Sequence, residues 1–483
     1  MPKRTAFVDL STGHIDIQPT PAEDLEQFLG CRGYAAKLLF ERVGPEIGPL
    51  DPSNCLIFST GPLTGTPFPT GSRSQVTFRS PATGGYGYAN TGGHFGAELK
   101  QASYDAVVVT GRASDPVYLR ITNDSIEIRD ASHLWGQLTS QVEGTLLADG
   151  GGRVACIGPA GEHLCNFAAI INDQGRAAAR AGPGAVMGSK LLKAVQVIAS
   201  GREKLPQEFL RAAGKISKHV LTDSKLEGLR SIGTPYLLRP KNAGGDLPAR
   251  NHQRPQVDYI DRMDAATVKK FLVTMKGCFA CPVRCSHVTE VKEGPYQIKV
   301  EGPEYETTNS LGPMLDNDSM ELIIYANHLC NEYGLDTIST GVVIAFAMEC
   351  HEKGLLSDPE LSLEWGDHAT ILGLLEKIAY RRGTGDLLAF GVRQAAELIG
   401  NGAEQYAMHV KGLELPRQEP RFAKGFGLGH CTSNRGACHL YALPAIDLGG
   451  NFDVAQKLFA KEIIPQLMDS DDETYKPDMV VYG

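Results

Sequence analysis

No stretch of this 483-residue chain approaches eighteen consecutive apolar residues. A helix needs about that length to cross a hydrocarbon core, so no membrane-spanning segment is expected. The opening, Met1 to Leu10, carries too short an apolar run for a signal peptide. Positive charge is not in excess either: 47 Lys and Arg stand against 56 Asp and Glu, a net charge of −9. That balance argues against a general nucleic-acid binder. Neither a Walker nor a Rossmann fingerprint is present, so ATP and NAD are not implied. Repeats and low-complexity tracts are also missing. The 11 cysteines are too thinly spread for a small disulfide scaffold. Three are clustered and the others scattered, which fits a reducing compartment and a metal site, with the cytoplasm as the expected location.

The chain is too long for one ordinary core, so two or three domains are expected. Hydrophobic residues make up 42% and charged residues 21%, as in globular proteins. The 54 glycines are concentrated in the first 200 residues, where they suit tight turns and backbone closely approached by a ligand. Residues 4–18 read as a hairpin and 22–43 as helical. Short strand-like runs follow at 55–59, 74–79, 105–110, 117–121, 125–129, 154–157 and 193–199. After residue 201 the apolar spacing becomes helical, over 206–222, 264–276, 318–333, 337–353, 366–381 and 385–399. The stretch 232–260 reads as a long functional loop, 405–411 as a strand, 423–437 as a glycine-rich loop and 453–468 as a helix. Residues 475–483 give no clear element. The fold class is therefore α+β and multidomain: a mainly β domain over 1–202, a helical domain over 203–410, and 411–483 as the start of a third, helical domain.

Six segments carry chemistry. Cys278, Cys281 and Cys285 are spaced C-x2-C-x3-C. Three close thiolates suit an iron–sulfur cluster. With His287 they would also make a Cys3His zinc set, and three buried structural thiols are the plain alternative. Residues 65–74 and 84–93 are dense in glycine, and Arg73 between them suits a phosphate clamp. Hairpin turns account for the same glycines. Residues 172–190, with Arg176, Arg180 and the Gly182-Pro183-Gly184 turn, read as a second anion-binding loop or a tight chain reversal. Glu301, Glu304 and Glu306 put three carboxylates in six residues, a source of a general base or a solvated turn. Asp336 stands where it would N-cap the following apolar helix. In a strand, His409 and Lys411 would share a face.

Taken in order, these segments resemble the aldehyde ferredoxin oxidoreductase family of tungsten enzymes, from about residue 5 to about residue 445. The most specific matches are Cys278 to Cys285, Gly182 to Lys190, Gly334 to Ser339 and Cys431 to Leu440. The resemblance implies a tungsten, sometimes molybdenum, ion between two pterin dithiolenes, a magnesium ion linking the pterin phosphates, and a [4Fe–4S] cluster. It implies oxidation of an aldehyde plus water to a carboxylic acid, with electrons passed to ferredoxin or another electron-carrier subunit. Carried over residue by residue, Arg73 contacts a pterin phosphate, and Asn90 and Ala181 offer carbonyls to the magnesium shell. Gly92, Arg180 and Gly182 belong to the same cofactor contact. Asp336 and Lys411 touch pterin, Glu306 is the catalytic carboxylate and His409 its proton-donating partner. The β domain becomes the base on which the pterins lie, and a homodimer is an expectation because family members often dimerise.

Two departures stand out. The family's first pterin motif, D-x-x-G-L-D, begins here with Asn331. An amide can bond ring atoms but lacks a carboxylate's two-fold acceptance of charged donors. Family members also run past this length to a second pterin motif holding the fourth cluster cysteine. The chain reads as a fragment, a truncated product or one piece of a split enzyme, and Cys431 and Cys438 are not taken as that ligand. Two other readings compete: a subunit of the benzoyl-CoA reductase type, and a non-catalytic relative that keeps the fold.

Overall fold

In a computed structural model the protein is described over residues 3–201, 204–441, 446–448 and 451–482. The N-terminal part holds two six-stranded sheets. The first contains β1 (Arg4–Asp9), β2 (His14–Pro19), β3 (Leu56–Thr60), β4 (Ser74–Arg79), β5 (Tyr86–Thr91) and β6 (Tyr104–Thr110) in the order β2-β1-β6-β3-β4-β5. The second contains β7 (Val117–Thr122), β8 (Ile126–Asp130), β9 (Arg153–Cys156), β10 (Ile170–Asn172), β11 (Arg176–Ala178) and β12 (Leu192–Ile198) in the order β11-β10-β9-β12-β7-β8. Each sheet has one parallel pair, β1 with β6 and β7 with β12.

Alternation explains the layering. Leu56, Phe58, Val107 and Val109 face the second sheet's Leu119, Ala155 and Val195 in one core. Ile57 and Val108, on the opposite face, pack under the helix Cys31–Arg42 through Tyr34 and Leu38. The second sheet is covered likewise by the helix Thr139–Gly150 through Val142 and Leu146. With both faces buried, β3 and β6 read as near-continuous apolar runs.

The remainder is mostly helical around a large core. Its centre is the helix Thr337–Glu352, buried on all sides from Ile338 to Cys350. An all-round apolar helix of this kind has no solvent face to offer. The short helix Tyr305–Leu311 crosses it closely: a Cβ on Gly341 would stand 2.3 Å from the Ser310 carbonyl oxygen. Glycine there is what lets the carboxylate-bearing helix sit against the core helix.

Several expected boundaries shift. The helix expected over 264–276 is Ala265–Phe271, N-capped by Asp264, and then becomes β13 (Leu272–Lys276). β13 pairs with β14 (Ser286–Val291), which pairs with β15 (Ile298–Glu301). The run expected over 385–399 breaks into Thr384–Leu388 and Val392–Ile399 at Gly391. The loop expected over 423–437 contains the helix Lys424–Thr432, whose glycines are offset by tertiary packing of Phe426 and Gly429. The stretch 232–260 includes the helix Leu238–Gly244. The expected strand 405–411 reduces to β16 (His409–Val410), paired with β17 (Leu413–Glu414). The helix over 453–468 is split into Phe452–Leu458 and Ile464–Met468, and Lys476–Tyr482 is helical where no element was expected. No helix among the described residues is long and apolar enough to cross a membrane.

Candidate active site

The three clustered cysteines lie in the loop that joins β13 to β14. Pairing of Lys276 with Ser286 closes the loop's base. Inside it, the Cys281 N–H donates to the Cys278 carbonyl at 3.1 Å, and Ala280 and Arg284 take left-handed φ values of 52° and 51°. The Phe279 N–H donates to the Gly93 carbonyl at 3.1 Å, which ties the loop to the end of β5. Gly92 is the contact itself: a Cβ there would lie 2.8 Å from Cys278 Sγ and 3.0 Å from an Arg73 guanidinium nitrogen. Arg73 Nε donates to Asn90 Oδ1 at 2.5 Å. The glycine-dense segment therefore contributes a strand and a cradle at its end. Protein packed around the otherwise exposed Arg73 lowers its pKa, while the charges of Cys278, Cys285 and Cys281, when they are thiolates, act the other way. Burial, Glu304 and the neighbouring Cys278 push the Cys285 thiol up to about 11.

Among the described residues, no three His, Cys, Asp or Glu side chains already converge on one point. A single zinc ion needs its ligands within about 2.3 Å of one centre. His287 is buried beside the three cysteines. Arg73, Asn90, Gly92, Arg176, Glu301 and Asn331 line a cavity of about 200 Å³ beside the loop. Arg176 pairs with Glu301 at 2.7 Å across it.

A second group forms where 180–182 meets the helical part. Arg180 donates to the carbonyls of Glu414 at 2.6 Å and Ala437 at 2.9 Å, and it faces Asp336 at 3.5 Å. Asp336 caps the core helix by accepting from the Ile338 and Ser339 amides, as expected. Ser339 Oγ joins Asp336 to Glu414, whose carboxyl burial pushes up in pKa. The Ala181 carbonyl accepts from Ser80 Oγ at 2.7 Å, and Gly182 precedes the helix Pro183–Ser189 as its N-cap. Nε and Nη1 of Arg180 are buried without hydrogen-bond partners among the described residues.

Glu306 heads a third group. Its carboxylate accepts from the Arg417 amide at 2.9 Å and from Gln418 Nε2 at 2.7 Å. Burial alone would raise its pKa, but His439, the Arg417 charge and these two bonds hold it below the usual value. Around it, Arg417 Nε and Nη1, both amide atoms of Asn309, Ser310 Oγ, Gln418 Oε1, Ser433 Oγ and His439 Nδ1 are buried and unpartnered among the described residues. Native interiors leave few polar atoms so, and a concentration of them marks where another polar group belongs.

Two expectations are corrected. His409 is not beside Glu306: its Nδ1 accepts from the Gly412 amide at 3.1 Å, and burial together with Arg393 lowers its pKa. The histidines whose pKa values Glu306 influences are His439 and His430, and of these His439 is the one that acts back on the Glu306 carboxylate. Lys411 does not share a strand face with His409, because it occupies the hairpin turn at φ 57° and reaches the Ser433 carbonyl at 2.9 Å. Arg417, Gln418, Glu414 and His439 had no assigned role in the sequence. The signal for His439 was its place in the Cys431 to Leu440 segment.

The family model "Aldehyde ferredoxin oxidoreductase, N-terminal domain" matches residues 5–199, and "Aldehyde ferredoxin oxidoreductase, domains 2 & 3" matches residues 211–482. A tungsten-containing aldehyde ferredoxin oxidoreductase of Thermococcus kodakarensis is 45% identical, over 90% of this chain and 73% of its own length. The WOR-like subunit of an aliphatic sulfonate oxidoreductase of Pyrococcus furiosus is 32% identical over 91% of this chain and 75% of its own. Among solved structures, the active-site complex of benzoyl-coenzyme A reductase with 1,5-dienoyl-CoA superposes with a TM-score of 0.78 at 31% identity. That match covers 89% of this chain and 69% of the other.

Proposed function

The chain belongs to the aldehyde ferredoxin oxidoreductase family, and from that premise we propose that it oxidises an aldehyde plus water to a carboxylate at a tungsten-pterin centre. The electrons would leave singly to ferredoxin or another iron–sulfur carrier. The residues fit such a cofactor on one observation above all. The wall between the β part and the core helix holds a concentration of buried polar atoms from Arg180, Arg417, Asn309 and Ser310 that have no hydrogen-bond partner among the described residues. An apolar ligand would leave them unsatisfied.

When bound, the tungsten or molybdenum pterin supplies the two-electron redox chemistry and a [4Fe–4S] cluster supplies one-electron relay. Arg73 and Arg180 would hold pterin and its phosphates. Asp336 orients Arg180 at 3.5 Å. The Asn90 and Ala181 carbonyls would be oxygen donors for magnesium, a cation that prefers oxygen ligands. The Ser80 bond to Ala181 occupies one of that carbonyl's two lone pairs. Cys278, Cys281 and Cys285 would hold three corners of the cluster, with Gly92 letting Cys278 approach Arg73.

Glu306 is held ionised by its two hydrogen bonds and by Arg417, so it can take a proton from water or from the aldehyde-derived carbon. His439 is kept neutral by burial and stands ready to exchange that proton. The test is anaerobic, aldehyde-dependent reduction of ferredoxin or a viologen by the holoenzyme. Wild type should turn over and Glu306→Gln should lose activity by at least about a hundredfold with tungsten and iron contents unchanged. Retained turnover in Glu306→Gln removes it from the mechanism. The solved benzoyl-coenzyme A reductase complex favours a second reading, reduction of an aromatic acyl-CoA. The same assay run in reverse with that substrate discriminates the two.

A further inference from the structure

Of the three carboxylates in residues 301–306, the proposed chemistry uses only Glu306. Glu301 ends β15, and its side chain is 7% exposed. Its carboxylate accepts from Ser286 Oγ at 2.7 Å and pairs with Lys276 at 2.8 Å and with Arg176 at 2.7 Å. Lys276 and Ser286 are the two residues whose pairing closes the base of the cysteine loop. One enclosed carboxylate therefore ties down both ends of that loop.

Enclosing a carboxylate is costly unless charges and hydrogen bonds surround it. Here two cations and a hydroxyl come from three different strands: Arg176 from β11, Lys276 from β13 and Ser286 from β14. The Glu301 backbone is fixed as well. It pairs in register with Val288 of β14, and its carbonyl accepts from Asn327 Nδ2 at 3.0 Å, which anchors it to the helix Met320–Tyr333. Arg176 carries the connection to the loop's other contact. It packs beside Gly93, where a Cβ would stand 3.1 Å from Arg176 Cγ, and the Gly93 carbonyl is the acceptor for the Phe279 amide. Burial alone would lower the Arg176 pKa, and the Glu301 charge leads those that raise it instead. Arg176 and Glu301 also line the cavity of about 200 Å³ together with Arg73 and Asn90. The same carboxylate thus meets the cysteine loop on one side and the wall of the candidate cofactor cavity on the other.

We propose that Glu301 is a positioning residue of the electron relay: its carboxylate clasps the cysteine loop against the cofactor cavity, and its charge holds down the reduction potential of the cluster that the loop would carry. This rests on the cluster in the reading above. Reduction adds one electron, and so one negative charge, to a [4Fe–4S] cluster, and nearby charge and hydrogen bonding set its potential. A carboxylate at the base of the loop opposes that added charge, and a cation favours it. Glu301 and Lys276 therefore pull the potential in opposite directions although they are paired with each other.

The experiment is a redox titration of the metal-loaded enzyme, followed by electron paramagnetic resonance of the reduced cluster, and it needs no aldehyde. Glu301→Gln keeps an acceptor for Ser286 and removes the charge, so the midpoint should rise with iron content unchanged. In Lys276→Gln the midpoint should fall, and by less, because Lys276 is half exposed and solvent screens its charge. Glu301→Asp keeps the charge and is one methylene short. Its midpoint should stay nearer to wild type than that of Glu301→Gln, while a chelator removes its iron faster than from wild type. Opposite shifts in Glu301→Gln and Lys276→Gln are the signature, since a loosened loop would move both midpoints the same way. Midpoints that stay unchanged or move together at full iron content overturn the assignment, as does Glu301→Asp holding its iron as long as wild type. If Glu301→Gln loses its iron, Lys276→Gln decides alone: a lower midpoint supports the clasp, and an unchanged or higher one overturns it. A wild type that carries the cluster and oxidises no aldehyde defeats the parent reading and leaves this test in force, whereas a wild type without iron overturns both.

Discussion

On the proposed reading Glu306 and His439 serve as an acid–base pair, and both are buried. Burial favours the neutral form of each, and the Arg417 charge and two hydrogen bonds restore the Glu306 carboxylate. Because the folded-state pKa of Glu306 lies below its unfolded value, the unfolded chain binds more protons through that window. Stability from this group is present above the ordinary glutamate pKa and is lost as pH falls through the folded one. Thermal midpoints measured between about pH 3 and 5 should therefore fall less steeply with acid in Glu306→Gln than in wild type. The two histidines also separate at this scale. His439→Gln should lower kcat by about a hundredfold with little change in KM, and His409→Gln should stay within about twofold of wild type in the same assay.

At the scale of elements, the cysteine loop stands or falls with the end of β5. Gly92→Ala would drive a methyl into Cys278 Sγ and Arg73. It should lower iron per chain, as should Cys281→Ser, measured by metal analysis and cluster absorbance. Unchanged iron in both would remove the loop as a cluster site. The elements themselves were unevenly legible in sequence. Strands β3, β4, β6, β7 and β12 announced themselves as short strand-like runs between turns, and Asp336 as a cap, because those signals are local. The helix Lys424–Thr432 did not, since its glycines weaken intrinsic propensity and its stability comes from neighbours distant in sequence. The active-site grouping was legible in part. Glu306 and Asp336 could be picked from short motifs, whereas His439 reaches Glu306 only through a fold that joins segments more than a hundred residues apart. The resemblance implied His409 as the partner of Glu306 and strand alternation placed it on one face with Lys411, and the hairpin turn at Lys411 removes that alternation.

Across the whole molecule, the layered β part and the helical part meet along Arg180, Asp336 and Glu414, and the candidate site lies along that junction. The far end of the helical part is anchored separately. Lys476 is 2% exposed and donates to Asp447 at 2.8 Å and to the carbonyls of Leu467 and Asp469 at 2.9 and 2.8 Å. Lys476→Met should cost about 3 kcal/mol in denaturant unfolding, because it strands a buried carboxylate. Metal content should be unaffected, since this anchor lies outside the site.

The central claim, that the junction holds a tungsten-pterin centre served by a cysteine-bound cluster, is tested most directly by metal analysis of the protein purified without air from its native host. The account predicts about one tungsten or molybdenum and about four irons per chain, as one [4Fe–4S] cluster requires. Zinc with neither tungsten, molybdenum nor iron would contradict it.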